Sequence, residues 1–243
     1  MKTKLCILSM AALVIALAMA GCKGNNNNPE EPNTPNTEEV TISNIEETDG
    51  GRVTYTYSDG AKMGFLIRID IPADYATVTY YFTPSKPEEK LYDAVIPSEV
   101  TWHGKKYPVV NVLNGVFEGN KHLKSVTSQE NLTTLESKCF CACSALELVS
   151  VSCVDEIPQS CFMECSSLAT IKIGKRVTSI KSYAYLSCTA IKDFTIQATE
   201  PPTLGENVFT EGVKFTLHVP SGSITKYTAT EWSKYAASIV AIE

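Results

Sequence analysis

The chain has 243 residues, 44% of them hydrophobic and 20% charged, with a formal net charge of -6. That length carries one large domain or two small ones, with enough apolar material to bury a core. Twenty-one Lys and Arg against 27 Asp and Glu exclude a general nucleic-acid binder, and three His leave little room for a multi-histidine metal centre.

The start, MKTKLCILSMAALVIALAMAGC, places Lys2 and Lys4 before an apolar run from Leu5 to Ala20. The run is short for a membrane span, which needs about 20 residues, and reads as an export signal over residues 1–21. Met19-Ala20-Gly21-Cys22 resembles the lipobox of bacterial lipoproteins, with Met19 where Leu is usual. The resemblance implies cleavage before Cys22 and lipidation of its sulfur. Removing residues 1–21 takes away two lysines and no acid, which leaves 19 basic and 27 acidic side chains and a net charge of -8. Two or more acyl chains at Cys22 would anchor the chain stably. Residues 22–39 follow, and Lys23 to Glu39 hold no aliphatic or aromatic side chain, which predicts a disordered tether.

Residues 40–108 show strand-like runs, RVTYTY, FLIRIDI and ATVTYYF, broken by Gly50-Gly51 and by Pro84 to Lys90. They predict a small β element that caps the open end of whatever follows.

From Val109 the chain falls into register. The units run from Val109 to Ser128, Leu132 to Val151, Val154 to Ile173 and Val177 to Ile196. Val112, Leu135, Ile157 and Ile180 recur at spacings of 23, 22 and 23 residues. Phe117, Phe140, Phe162 and Tyr185 follow five residues after each, and Leu123, Leu146, Leu168 and Ile191 six residues later still. An irregular fifth copy carries Leu204, Phe209, Phe215, Leu217 and Val219. Within a unit, Cys139, Phe140, Cys143 and Leu146 fit one face of a short helical turn. Val149 and Val151 alternate as on a strand. One such unit cannot bury its apolar face alone, so units must stack with their strands in a parallel sheet. Five coils at about 4.8 Å each give a solenoid roughly 20 Å long.

This frame resembles the leucine-rich repeats of the BspA-like type, whose core reads I-x-x-x-A-F-x-x-C-x-x-L in units of about 23 residues. The resemblance covers about Tyr92 to Ile242. It implies a β-rich α/β solenoid of leucine-rich repeats, with short helical turns and a parallel sheet, capped by the N-terminal β element. Residues 109–200 hold the repeats, and 201–243 the irregular last copy and a C-terminal cap in which Trp232 and Tyr235 cover the end. Asn120 and Gly212 depart from the frame where Cys is usual.

Cys139-Phe140-Cys141-Ala142-Cys143 invites a metal reading, but the repeat accounts for most of the sulfurs. Cys143, Cys165 and Cys188 share one repeat position, and Cys139 and Cys161 another. They read as stacked core thiols, with disulfides between neighbouring coils as an alternative; Cys141 and Cys153 fit neither column. The redox state of all seven is open. No metal or other cofactor is expected, and no G-x-S-x-G, H-E-x-x-H or phosphate loop occurs, so an enzyme is not expected. His103, His122 and His218 lie in three separate segments and read as surface residues. On the sheet, Thr127, Ser150, Lys172, Thr195 and Thr216 fall between inward-facing neighbours and form a candidate polar binding stripe.

The family resemblance implies a non-catalytic lipoprotein held at the outer membrane, on the cell surface or facing the periplasm, presenting its solenoid to a protein ligand of a host or neighbouring cell. Nucleic acid is not an expected partner. A glycan-binding accessory protein of a polysaccharide uptake system and a purely structural envelope protein are the alternatives.

Overall fold

The computed structural model describes residues 42–57, 61–69, 73–82 and 91–242. The expected export signal, Cys22 and the expected tether lie outside these residues.

Strands β1 (Ile42–Glu47), β2 (Arg52–Tyr57), β3 (Lys62–Arg68) and β4 (Tyr75–Phe82) form an antiparallel meander. The alternation of RVTYTY buries Val53 and Tyr55, which meet Met63, Phe65, Ala76 and Val78 in one core. Next come β5 (Tyr92–Ile96) and a hairpin of β6 (Glu99–Trp102) with β7 (Lys105–Val112). The meander joins the repeats directly, because β4 pairs in parallel with β7. Tyr55 ties it further: its hydroxyl accepts a hydrogen bond from the Thr101 amide at 3.1 Å.

Each following coil contributes one strand to a long sheet and a two-residue strand to a second face. The long-sheet strands are β8 (Leu123–Ser128), β10 (Leu148–Val151), β12 (Thr170–Ile173), β14 (Asp193–Ile196) and β16 (Phe215–Val219). Between them run β9 (Thr134–Leu135), β11 (Glu156–Ile157), β13 (Ser179–Ile180) and β15 (Thr203–Leu204). A short helix, α1 (Ile224–Thr228), and a final strand, β17 (Ala236–Ala241), complete the described chain. The long sheet is parallel and seven-stranded, in the order β17, β16, β14, β12, β10, β8, β5. Strands β5 and β17 add one to each end of the five that the repeat frame supplies. At about 4.8 Å per strand the sheet is close to 29 Å across, longer than five coils imply.

The third side of each coil is a tight turn around the aromatic residue. Two left-handed residues bracket the ring in every one of the first four coils: Gly115 and Gly119, Lys138 and Ala142, Ser160 and Glu164, Tyr183 and Ser187. These bends aim backbone donors along the solenoid. Phe117 N–H reaches the Cys139 carbonyl at 2.8 Å, Phe140 the Cys161 carbonyl at 3.0 Å, and Phe162 the Ala184 carbonyl at 2.9 Å. The helical turn expected from the sequence is thus compressed into single turns that bond from coil to coil, which leaves few backbone groups unpaired.

The core is a set of columns. Val112, Leu135, Ile157 and Ile180 form one, and Leu123, Leu146, Leu168 and Ile191 another, each residue at most 4% exposed. The aromatics stack: Phe117 on Phe140 at 4.8 Å, Phe140 on Phe162 at 5.3 Å, Phe162 on Tyr185 at 5.4 Å and Tyr185 on Phe209 at 5.6 Å. Tyr81 from the meander lies on Phe117 at 4.8 Å and begins the ladder. Trp232 and Tyr235 close it against Phe209 at 5.9 and 4.8 Å. Trp232 donates its indole N–H to the Pro202 carbonyl at 2.9 Å, and Tyr227 its hydroxyl to the Ala198 carbonyl at 2.8 Å. Both polar tips are thereby satisfied within the cap.

Candidate binding face

Strand alternation sends every second residue of the long sheet outward, and parallel pairing lines these residues up across the coils. Thr127 pairs with Ser150, Ser150 with Lys172, and Lys172 with Thr195. The next member of the row is His218, not Thr216. Thr216 pairs with Asp193, so it belongs to an adjacent row with Asp93, Ser125, Leu148 and Thr170.

The row is uneven. Lys172 is exposed, Thr127, Thr195 and His218 are half-buried, and Ser150 is only 6% exposed. Two polar contacts stiffen the ends of the face. Ser125 donates its hydroxyl to Asp93 at 2.5 Å, and His218 Nε2 lies 3.1 Å from an Asp193 carboxylate oxygen. Lys172 presents an unpaired ammonium at the centre of the row.

The sequence reading missed His218 for a definite reason. In four coils the row residue lies ten positions after the aromatic; in the fifth, His218 lies nine after Phe209. Alternation in FTLHV, with Phe215, Leu217 and Val219 buried, was the signal that marks both Thr216 and His218 as outward. Only the pairing register says which row each one joins.

The other candidates separate. His103 sits beyond the sheet, with Nδ1 3.6 Å from Glu47 and Nε2 3.9 Å from Asp49, so the β6–β7 hairpin docks on the β1–β2 turn. His122 lines an open cleft of about 350 Å3 at the first coil, with Tyr81, Phe117, Glu118 and Lys121. Asn120, also in its wall, is engaged: its side-chain oxygen accepts from the His122 and Leu123 amides at 3.0 and 3.1 Å. Among the described residues, no three His, Cys, Asp or Glu side chains are grouped so as to hold a metal ion. No helix among them is long and apolar enough to cross a membrane.

The repeat cysteines are part of the core. Cys143 donates its thiol to the Phe117 carbonyl of the preceding coil at 3.0 Å, Cys165 to Phe140 at 3.1 Å, and Cys188 to Phe162 at 3.0 Å. This column therefore bonds each coil to the one before it. Asn120 departs from it in the first coil, and caps its own strand instead. Cys139, Cys141, Cys143, Cys161, Cys165 and Cys188 are all free thiols and all buried. Cys141, outside both columns, sits in the turn of the second coil, where burial raises its pKa. Cys153 is buried just past β10, its sulfur 3.7 Å from the Ser152 hydroxyl.

A parallel sheet, a column of buried aromatics and coil-to-coil thiol bonds at a spacing of about 23 residues define a leucine-rich-repeat solenoid. Residues 105–216 match, in six copies, the family described as "BspA type Leucine rich repeat region". The repeat array of this chain belongs to that family. No curated protein matches the chain in sequence. Among solved structures, the pneumococcal vaccine antigen PcpA is 14% identical with a TM-score of 0.45, over 75% of this chain and 51% of that one. This chain thus spans about half the length of the pneumococcal protein. A leucine-rich repeat protein from Bacteroides capillosus is 23% identical with a TM-score of 0.32, over 61% and 79% of the two chains. A leucine rich cell surface protein from Faecalibacterium prausnitzii is 12% identical with a TM-score of 0.28, over 78% and 95%. None reaches a TM-score of 0.5, so the assignment rests on the repeat itself.

Proposed function

We propose that the chain is a non-catalytic, lipid-anchored protein of the outer membrane that uses the outward face of its long sheet to bind a protein ligand at the cell surface. The observation that carries the reading is the in-register row Thr127, Ser150, Lys172, Thr195 and His218 on a rigid parallel sheet. Repeat solenoids bind extended partners on such surfaces, because stacked coils hold side chains at a fixed pitch without further ordering cost. The row contains no Phe, Tyr or Trp ring on which a sugar could stack, which favours a protein over a glycan.

A photo-crosslinking side chain placed at Thr195 in living cells tests the face. Thr195 should capture a discrete protein, and the same group at Lys181, on another side of the coil, should not. Lys172→Glu should reduce capture at least tenfold while leaving the thermal midpoint unchanged. Equal capture from both positions, or indifference to Lys172→Glu, sinks the assignment of the face. The anchor is tested separately. Cys22→Ala should move the protein from the membrane fraction to the soluble one, and a variant that stays with the membrane refutes lipidation at Cys22.

A further inference from the structure

Two columns of thiols run through the turns, and they are chemically unlike. In the column of Cys143, Cys165 and Cys188 each sulfur has a backbone carbonyl as partner, and the Cys165 thiol also meets those of Cys143 and Cys188. Cys139 and Cys161 instead face one another, with their sulfurs 3.4 Å apart and both side chains fully buried. The same position holds Val116 in the first coil, Ala184 in the fourth and Val208 in the fifth, so at this position only the second and third coils carry a pair of thiols. Their backbones are neighbours in a hydrogen-bonded ladder, since Phe140 N–H reaches the Cys161 carbonyl at 3.0 Å. Laddered backbones lie about 4.8 Å apart, inside the separation that a disulfide spans. Closing the bond requires the sulfurs to approach by about 1.4 Å, a shift within reach of a side-chain rotation.

We propose that Cys139 and Cys161 form a disulfide that staples the second coil to the third. The chemistry needs a donor disulfide, such as oxidised glutathione or the active-site disulfide of an oxidoreductase. A Cys139 thiolate attacks the donor S–S bond, one donor thiolate leaves, and a mixed disulfide forms. The Cys161 thiolate then attacks Cys139 Sγ and expels the second donor thiolate. Two protein thiols lose two protons and two electrons, and the donor disulfide becomes two thiols. The exchange takes place while the coils are closing, when both sulfurs still meet solvent. Once the turns have stacked, burial shuts out reductants as it shut out water.

The test unfolds the full-length chain in urea with reductant, then refolds it in a mixture of oxidised and reduced glutathione. Iodoacetamide traps the remaining thiols, and a protease that cuts after glutamate separates Ser137–Glu147 from Ile157–Glu164. The expected result is a linked peptide pair joined at Cys139 and Cys161, present in Cys143→Ser and absent from Cys139→Ser. The oxidised protein should melt roughly 5–10 °C above the same protein refolded in reductant, a difference abolished by Cys139→Ser. Alkylation of both Cys139 and Cys161 after refolding, or linkage of either to another cysteine, overturns the proposal. The peptide map on the unmodified chain decides the matter even where a serine variant fails to fold.

Discussion

Tyr185 places a hydroxyl inside the ladder of stacked rings, and its oxygen is buried with no hydrogen-bond partner. Its neighbours at this position are Phe140, Phe162 and Phe209, so the ring is needed and the oxygen is not. An unpaired buried hydroxyl costs about 1–3 kcal/mol. Tyr185→Phe should therefore raise stability by about 1 kcal/mol, read as a higher urea midpoint with an unchanged slope; a lower midpoint would reveal a partner for the hydroxyl. The ring's place was legible in the sequence, five residues after Ile180. The idle oxygen was not, because whether a hydroxyl finds an acceptor depends on which atoms the neighbouring coils bring to it.

At the scale of one coil, the tightest fit is at Gly174, just after β12. A Cβ there would lie 1.6 Å from the Ser152 carbonyl oxygen, which is backbone and cannot turn away. Gly174 N–H donates to the Val151 carbonyl at 3.0 Å, so the two coils are held at this separation. Gly174→Ala should push the third coil off the second and lose at least about 2 kcal/mol, measured by urea unfolding. Gly119→Ala, with nothing within 4 Å of its Cβ, should show only the strain of its left-handed backbone, about 1 kcal/mol. The interval from aromatic to aromatic announced the coils, because identical units must repeat the same core contacts. The left-handed residues were not announced. Lys138, Ala142, Glu164 and Tyr183 are poor candidates for positive φ by type, and coil-to-coil hydrogen bonds impose it on them.

The whole molecule inherits a pH limit from its buried acids. Burial raises the pKa of Tyr185 and Tyr227, and hydrogen bonds to the Cys143 and Cys188 thiols together with burial raise that of Cys165. Below about pH 8 both folded and unfolded chains keep these groups protonated. Above it the unfolded chain releases protons, first from thiols of ordinary pKa 9.0 and then from phenols at 10.0, that the folded chain retains. Proton release then favours unfolding, so stability falls as pH rises, by up to about 1.4 kcal/mol per pH unit for each such group. The urea midpoint should drop clearly between pH 7.5 and pH 10. A flat profile would contradict sealed thiol and phenol columns.

By itself the sequence determined the repeat, its period, its aromatic and thiol columns and the outward position of Thr127, Lys172 and Thr195, because a period of stacked contacts is written in residue spacing. Tertiary structure alone decided that β5 and β17 extend the long sheet, since neither carries the repeat frame and each is recruited by an open edge. It also decided that His218 completes the row, that Ser150 sinks beneath it, and that Cys139 meets Cys161. Register between strands is set by the packing of whole coils, and a coil one residue shorter moves every later side chain to a different neighbour.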